Sequence, residues 1–349
     1  MSGPADIRFE RRGGLGIAVL DRPAALNALT RGMVQALSLQ LAAWKDDAEV
    51  AAVLVKSAGG RAFCAGGDIR AVTDLAQSRG VEAAAPFFHD EYRMNWRIAE
   101  FPKPYVAVLD GVTMGGGVGI SAHGRYRVVT EQTLVAMPET LIGFFPDVGG
   151  TWVLSRQPAV GMYLGLTGAR LQAADSLEAG FGSHFVPRDR LAALEEMLAN
   201  GEAADAALES LRREPPSGTL PSLRPAIDHA FGAPTLAEVE RRLGESEWGR
   251  GRLAELAQRS PLSLAVTFAQ LRRGAGMADL AEALRLEYRM VHRFLGGHDF
   301  PEGVRALLVD KDKQPRWSHA STAEVTQGEV EAVMAPLPGG DLPFDWHGV

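Results

Sequence analysis

Short runs of β-branched and apolar residues that break off at glycine turns set the tightest limit on what this chain can fold into. Ala51 to Lys56 ends at Ala58-Gly59-Gly60, and Tyr105 to Leu109 runs into Met114-Gly115-Gly116-Gly117. Runs of this length bounded by glycine read as buried strands, and Tyr126 to Thr130 reads as a third. Asp6 to Arg11 and Leu15 to Leu20 flank Arg12-Gly13-Gly14, which predicts a β-hairpin. Thr30 then stands at a helix N-cap position, followed on one face by Met33, Leu37, Leu41 and Trp44. Alternation of this kind through residue 190 predicts an α/β fold.

Near Glu214 the pattern changes. EPPSGTLPSLRP places four prolines in twelve residues, which reads as a surface connection because proline stops a continuing helix. Beyond it the signals are helical. Thr235 to Glu238 fits a capping box, Ser260-Pro261 a cap with proline at the first helical position, and Asp279 precedes Leu280, Leu284, Tyr288 and Val291. The chain therefore divides into a 1–190 core and a helical 191–349 region.

Composition removes several classes of function. A formal net charge of −7, with both signs interspersed, gives neither a nucleic-acid footprint nor a membrane-surface patch. No window approaches the ~18 apolar residues of a membrane span, and the stretch MSGPADIRFERR lacks the apolar core of a signal peptide. Cys64 is the one cysteine and reads as a small buried residue in a reducing compartment, so the expected location is the cytoplasm.

Candidate chemistry gathers at two glycine turns and three acids. Ala65-Gly66-Gly67 and Gly115-Gly116-Gly117 each follow a strand, and their bare backbones allow close approach of a ligand. If the turns face one another, one N–H from each would converge on a carbonyl oxygen, beside the helix opening at Gly116. Glu139 and Asp147 lie in AMPETLIGFFPDVGG among apolar neighbours, where burial would raise their pKa values toward the range useful for proton transfer. Glu91 falls on the stripe Phe87, Glu91, Met94, Ile98, so a helix would turn it inward, toward a substrate hydroxyl or a structural partner.

Other motifs point away from cofactors and metals. Gly117-Val118-Gly119-Ile120-Ser121-Ala122 matches a dinucleotide fingerprint in letters, but the next strand begins near Tyr126, too soon for the crossover such a site needs. His123 and His298 lack spaced partners for a metal set and read as structural. No phosphate loop or serine elbow is present.

AFCAGGDI, MGGGVG and MPETLIGFFPDVGGT together resemble the crotonase (enoyl-CoA hydratase/isomerase) superfamily, and DRPAALNAL, FFHDEYRMN and EYRMVHRFLGGHDFPEGVRALLVDKDKQPRW extend the likeness over nearly the whole chain. The resemblance implies a spiral of repeated ββα units, with a helical C-terminal extension that packs on the core or on a neighbouring subunit. It implies an acyl-CoA substrate, no separate cofactor, and a homo-oligomer of trimeric or hexameric type. The oxyanion hole would be the N–H groups of Ala65 and Gly116. Glu139 and Asp147 would be catalytic, and Glu91, Ala62, Gly66, Gly67, Asp68, Gly115 and Pro138 would line the substrate. Hydratases of the superfamily typically carry a second glutamate where this chain has Gly119, and Asp147 supplies an acid elsewhere. Hydrolysis of a short 3-hydroxyacyl-CoA thioester, with 3-hydroxyisobutyryl-CoA of valine breakdown foremost, is the implied reaction. A hydratase or isomerase and a non-catalytic acyl-CoA-binding protein are the alternatives. Whether Glu139 would attack directly or activate water stays open.

Overall fold

A computed structural model describes residues 6–346. The leading residues of MSGPADIRFERR, on which part of the signal-peptide reading rests, lie outside that range. Strands β1 (Ile7–Arg12) and β2 (Leu15–Leu20) form the expected antiparallel hairpin, with Ile7 opposite Leu20 and Arg12 opposite Leu15. Helix α1 (Arg31–Asp46) starts at Thr30, whose side chain accepts from the Met33 N–H, and buries Met33, Leu37, Leu41 and Trp44.

From there the chain winds. Strand β3 (Ala52–Ser57) pairs parallel to β2, and β4 (Ala62–Cys64) leaves it for a second sheet before helices α2 (Ile69–Arg79) and α3 (Val81–Ala99). The next turn repeats this with β5 (Tyr105–Leu109), β6 (Val112–Met114) and helix α4 (Gly116–Ala122). A third adds β7 (Tyr126–Val129) and β8 (Leu134–Ala136), and β9 (His184–Phe185) closes the larger sheet. The six-stranded sheet runs β1-β2-β3-β5-β7-β9 and the three-stranded one β4-β6-β8. Each turn gives one strand to each sheet, which is the spiral the motifs implied. The three strands of the small sheet are too short to show a period in sequence, so none of them is predicted there.

Alternation along β2 divides its side chains between two cores. Leu15, Ile17 and Val19 pack with Leu54, Val106, Val128 and Leu198, while Ala18 and Leu20 face the larger core. Both faces of the sheet are thus covered, as parallel strands require. The larger core continues into the C-terminal helices, through Leu264, Leu284 and Phe294 to Leu342.

Two local expectations change. The proline-rich stretch is irregular as far as Gly218, but Leu220–Phe231 is a helix containing Pro221 and Pro225. Pro221 sits in the first turn, where no intrahelical N–H partner is needed, and Pro225 lies on the exposed side, where water reaches the unpaired carbonyl. The Asp175 carboxylate caps this helix by accepting from the Thr219 and Leu220 N–H groups. At Thr235 half of the capping box forms: its side chain accepts from Glu238 N–H, while the Glu238 carboxylate turns to Arg241 and Arg242. Ser260 and Asp279 cap their helices as expected.

Candidate active site

All three strands of the small sheet run parallel, so their carboxyl ends deliver three loops to one edge. Strand β4 leads to Ala65-Gly66-Gly67, β6 to Gly115-Gly116, and β8 to Pro138-Glu139. These loops line a cavity of about 450 Å³, together with Arg22, Asp68, Glu91, Ile142, Asp147, Val148 and Leu308. Ligand sites in parallel sheets form at such carboxyl ends because the loops there converge.

The two glycine turns do face each other. A side chain on Gly115 would stand 3.4 Å from Gly66 Cα and 3.3 Å from Glu139 Oε1, and one on Gly116 would stand 2.6 Å from Glu91 Oε1. Both positions need a bare backbone because carboxylates already occupy the space. As the first residue of α4, Gly116 has an N–H with no partner within the helix.

Ala65 is a correction. Its N–H donates to the Leu26 carbonyl at 3.0 Å and is therefore not free to meet a ligand. The Gly66 carbonyl accepts from Leu29 N–H, and the Asp68 N–H donates to the Leu29 carbonyl. In a trans peptide N–H and C=O point opposite ways, so the Gly67 N–H faces away from Leu29. Among the described residues it donates to no protein group, and the Gly66 carbonyl carbon lies 3.3 Å from where a Gly116 Cβ would be. The free pair of amides is Gly67 and Gly116. Ala62 is also corrected: it is absent from the cavity wall, and its carbonyl accepts from Asn27 Nδ2. Asn27, held at φ 57, receives the Arg22 N–H as well, and so ties the DRPAALNAL segment to β4.

Glu91, Glu139 and Asp147 are all buried, with 2%, 7% and 5% of their surface exposed. Glu91 points inward from α3 as its stripe predicts, and among the described residues neither its Oε1 nor Glu139 Oε2 has a hydrogen-bond partner. Desolvation, and then the Asp147 charge, hold the Glu91 and Glu139 carboxyls well above the usual range. Asp147 is pushed up to about 7 by burial, against a hydrogen bond from the Tyr92 hydroxyl at 2.8 Å that favours its charged form. Lone buried oxygens aimed at a cavity are expensive without a ligand to meet them.

Asp68 caps α2 and pairs with Arg22 at 2.8 Å on the cavity rim. Burial pushes the Cys64 thiol up to about 12, so it is inert. His123 donates from Nε2 to the Val148 carbonyl at 2.7 Å, and His298 bonds the Arg316 carbonyl, both in structural roles. Gly119 is enclosed: a Cβ there would stand 2.8 Å from both Asn95 Nδ2 and Val148 Cβ. A glutamate cannot be accommodated without displacing α3 or the Asp147 loop.

Sequence reasoning missed Tyr92, Gln270 and Glu287. Glu287 carried a readable signal, because it lies three residues after Leu284 and four before Val291 on an apolar face, the same inward placement as Glu91. Gln270 had no such mark.

With this geometry the chain belongs to the enoyl-CoA hydratase/isomerase family, whose model matches residues 15–334. It is 44% identical over 345 residues to a protein of Xenopus laevis named 3-hydroxyisobutyryl-CoA hydrolase, mitochondrial, covering 95% of this chain and 89% of the relative. The human protein of the same name is 41% identical over 352 residues, with 97% and 91% covered. Among solved structures, one described as a carnitinyl-CoA dehydratase from Mycobacterium thermoresistibile superposes with a TM-score of 0.92 at 42% identity, covering 98% and 99%. Another, described as an enoyl-CoA hydratase from Rhodobacter sphaeroides, reaches 0.93 at 42%, covering 97% and 100%. No helix of the described residues is long and apolar enough to cross a membrane, and no cluster of three potential metal ligands occurs among them.

Proposed function

We propose that this protein hydrolyses 3-hydroxyisobutyryl-CoA to 3-hydroxyisobutyrate and CoA, the acyl-CoA serving as substrate with no separate cofactor. The observation that carries this reading is the pairing of a closed Gly119 with two buried acids, Glu139 and Asp147, beside two free amides. The thioester oxygen sits between the Gly67 and Gly116 N–H groups, which stabilise the negative charge that grows on it. Each well-placed donor contributes about 3 kcal/mol to such a transition state. The Glu139 carboxylate attacks the carbonyl carbon, the C–S bond breaks, and the CoA thiolate leaves with a proton relayed through Asp147. Water then opens the acyl-glutamyl anhydride at its acyl carbon, restoring the carboxylate. The unpartnered Glu91 Oε1 accepts from the substrate hydroxyl, and Arg22 and Arg70 at the mouth meet the CoA phosphates.

The names of the relatives divide between a hydrolase and hydratases or dehydratases. Hydration across a double bond in this family typically uses a second glutamate at the place Gly119 occupies, which favours hydrolysis here. Thiol release from 3-hydroxyisobutyryl-CoA and 3-hydroxypropionyl-CoA, alongside hydration of crotonyl-CoA, tests the choice. Turnover of the hydroxyacyl thioesters without crotonyl-CoA hydration is expected; the reverse establishes a hydratase, and binding without turnover a carrier. A cytoplasmic location, supported by the single reduced cysteine, and a trimeric or hexameric assembly complete the reading. Fractionation of the native cell and sedimentation of the purified protein check these two points.

A further inference from the structure

Asp147 opens a turn whose next two residues both lie in the left-handed region, Val148 at φ 54 and Gly149 at φ 83. For a β-branched residue this conformation is costly, on the order of 1–3 kcal/mol, and persists only where the surroundings impose it. The imposing groups are few. The two oxygens of the Glu287 carboxylate accept from the Gly149 N–H at 2.7 Å and the Thr151 N–H at 2.9 Å. Gln270 Nε2 donates to the Pro146 carbonyl and to Thr151 Oγ1, both at 2.7 Å, and His123 fixes the Val148 carbonyl. The His123 ring stands 2.4 Å from where a Gly149 Cβ would be, so the turn has no room to relax in that direction.

Glu287 is fully buried on helix Leu280–Leu295, more than 130 residues along the chain from the turn it grips. Among the described residues, the ionisable groups that chiefly influence it or are influenced by it are Asp147, the Tyr92 hydroxyl and Glu139, with no basic group among them. A carboxyl group placed without a basic partner in an acidic, desolvated neighbourhood, where its proton is held to about 8, is a poor choice for general stability. Its hydrogen bonds all go to one turn, to the Gly149 and Thr151 N–H groups and to the Thr151 side chain.

We infer that Glu287 is a positioning residue for Asp147: its carboxylate clamps the Gly149 and Thr151 amides and so holds the strained turn that aims Asp147 into the cavity. This rests on the hydrolase reading above. Displacement of a reacting group by about 1 Å lowers turnover by on the order of a hundredfold while leaving substrate contacts elsewhere intact. Glu287→Gln preserves size but sets an amide N–H against one of the two backbone donors. With 3-hydroxyisobutyryl-CoA, kcat should fall at least about tenfold while KM stays within about twofold. Glu287→Asp, which keeps the carboxyl group but shortens the reach by one methylene, should fall between Gln and the wild type.

The wild-type assay separates the two claims. If the wild type releases no thiol, the reaction itself is misassigned. If it does, and folded Glu287→Gln keeps wild-type kcat, the positioning role is overturned. A parallel loss in kcat and a rise in KM overturns it as well, because that pattern marks general loosening of the pocket. Loss of the near-ultraviolet circular dichroism signal in both variants counts against it too, since the carboxylate would then serve the fold at large.

Discussion

The Tyr92 hydroxyl donates to Asp147 Oδ2 at 2.8 Å, joining α3 to the loop that follows Pro146 inside the cavity wall. Glu91 and Tyr92 are consecutive, yet one carboxylate lines the cavity directly while the neighbouring hydroxyl acts through Asp147. Desolvation and the nearby carboxylates hold the Tyr92 phenol well above 10, so it stays a donor at any working pH.

Removing that donor should be visible in the pH profile. Tyr92→Phe takes away the bond that favours ionised Asp147, so the titration near 7 in kcat should move to higher pH. Turnover at neutral pH should change by about tenfold, with about 1–3 kcal/mol of stability lost for the orphaned acceptor. A pH–rate profile with an unmoved midpoint excludes this linkage.

Glu139→Gln should abolish thiol release while the melting temperature holds or rises, since burial already penalises the charge. Single-turnover hydrolysis in oxygen-18 water, read by mass spectrometry of the peptide containing Glu139, separates the two routes. Attack of water on the acyl carbon of an anhydride leaves one solvent oxygen in the product in the first cycle and none in the enzyme. Attack on the glutamyl carbon labels Glu139. A general-base route also labels product alone, so the two are separated by acid-quenching the reaction and weighing the peptide containing Glu139, which carries the mass of the acyl group only on the covalent route.

Gly116→Ala should lower kcat by about a hundredfold or more, because the new methyl would lie 2.6 Å from Glu91 Oε1 and 3.1 Å from Leu29 Cδ1 beside the oxyanion donor. Steady-state kinetics on the folded variant measure this. Wild-type turnover would remove the Gly116 amide from the site.

Gly119→Glu should confer no hydration of crotonyl-CoA. The position faces Asn95 and Val148 at 2.8 Å, so the substitution should destabilise the protein by about 2 kcal/mol or more through overpacking and a buried charge. Calorimetric melting and the crotonyl-CoA absorbance assay check both parts.

Stability should fall as pH rises from 6.5 to 8.5. Asp147 and Glu287 have folded pKa values raised from 3.8 and 4.5 to about 7 and about 8, chiefly by burial. The folded state therefore holds protons that the unfolded chain has released, and this stabilisation disappears as pH passes through the folded values. Histidines lowered by desolvation, including His123 at about 4, act below this window. Together the two acids should contribute about 2 kcal/mol, or several degrees of melting temperature. A flat or rising melting curve across that interval refutes the assignment.

The core strands, the α1 cap and the inward face of α3 were legible because periodicity and capping are local, repeated signals. The three-residue strands of the small sheet were not, since their existence depends on neighbours stacked through successive turns of the spiral. Glu91, Glu139 and Asp147 stood out as acids in apolar company. The amide at Ala65 was misread because a hydrogen bond to Leu26 from a separate loop leaves no trace in the motif itself. Pro225 misled in the opposite direction, since a proline on a wet face costs a helix less than its reputation suggests.

All the side chains and amides proposed to touch the acyl group precede residue 150, whereas Gln270 and Glu287, which grip the loop bearing Asp147, arrive more than a hundred residues later. A fragment stopped near residue 190 would carry each reacting atom and still lack the hand that aims one of them. During synthesis, competence would wait for the last helices to dock, so the enzyme could not begin work on its substrate while still half made.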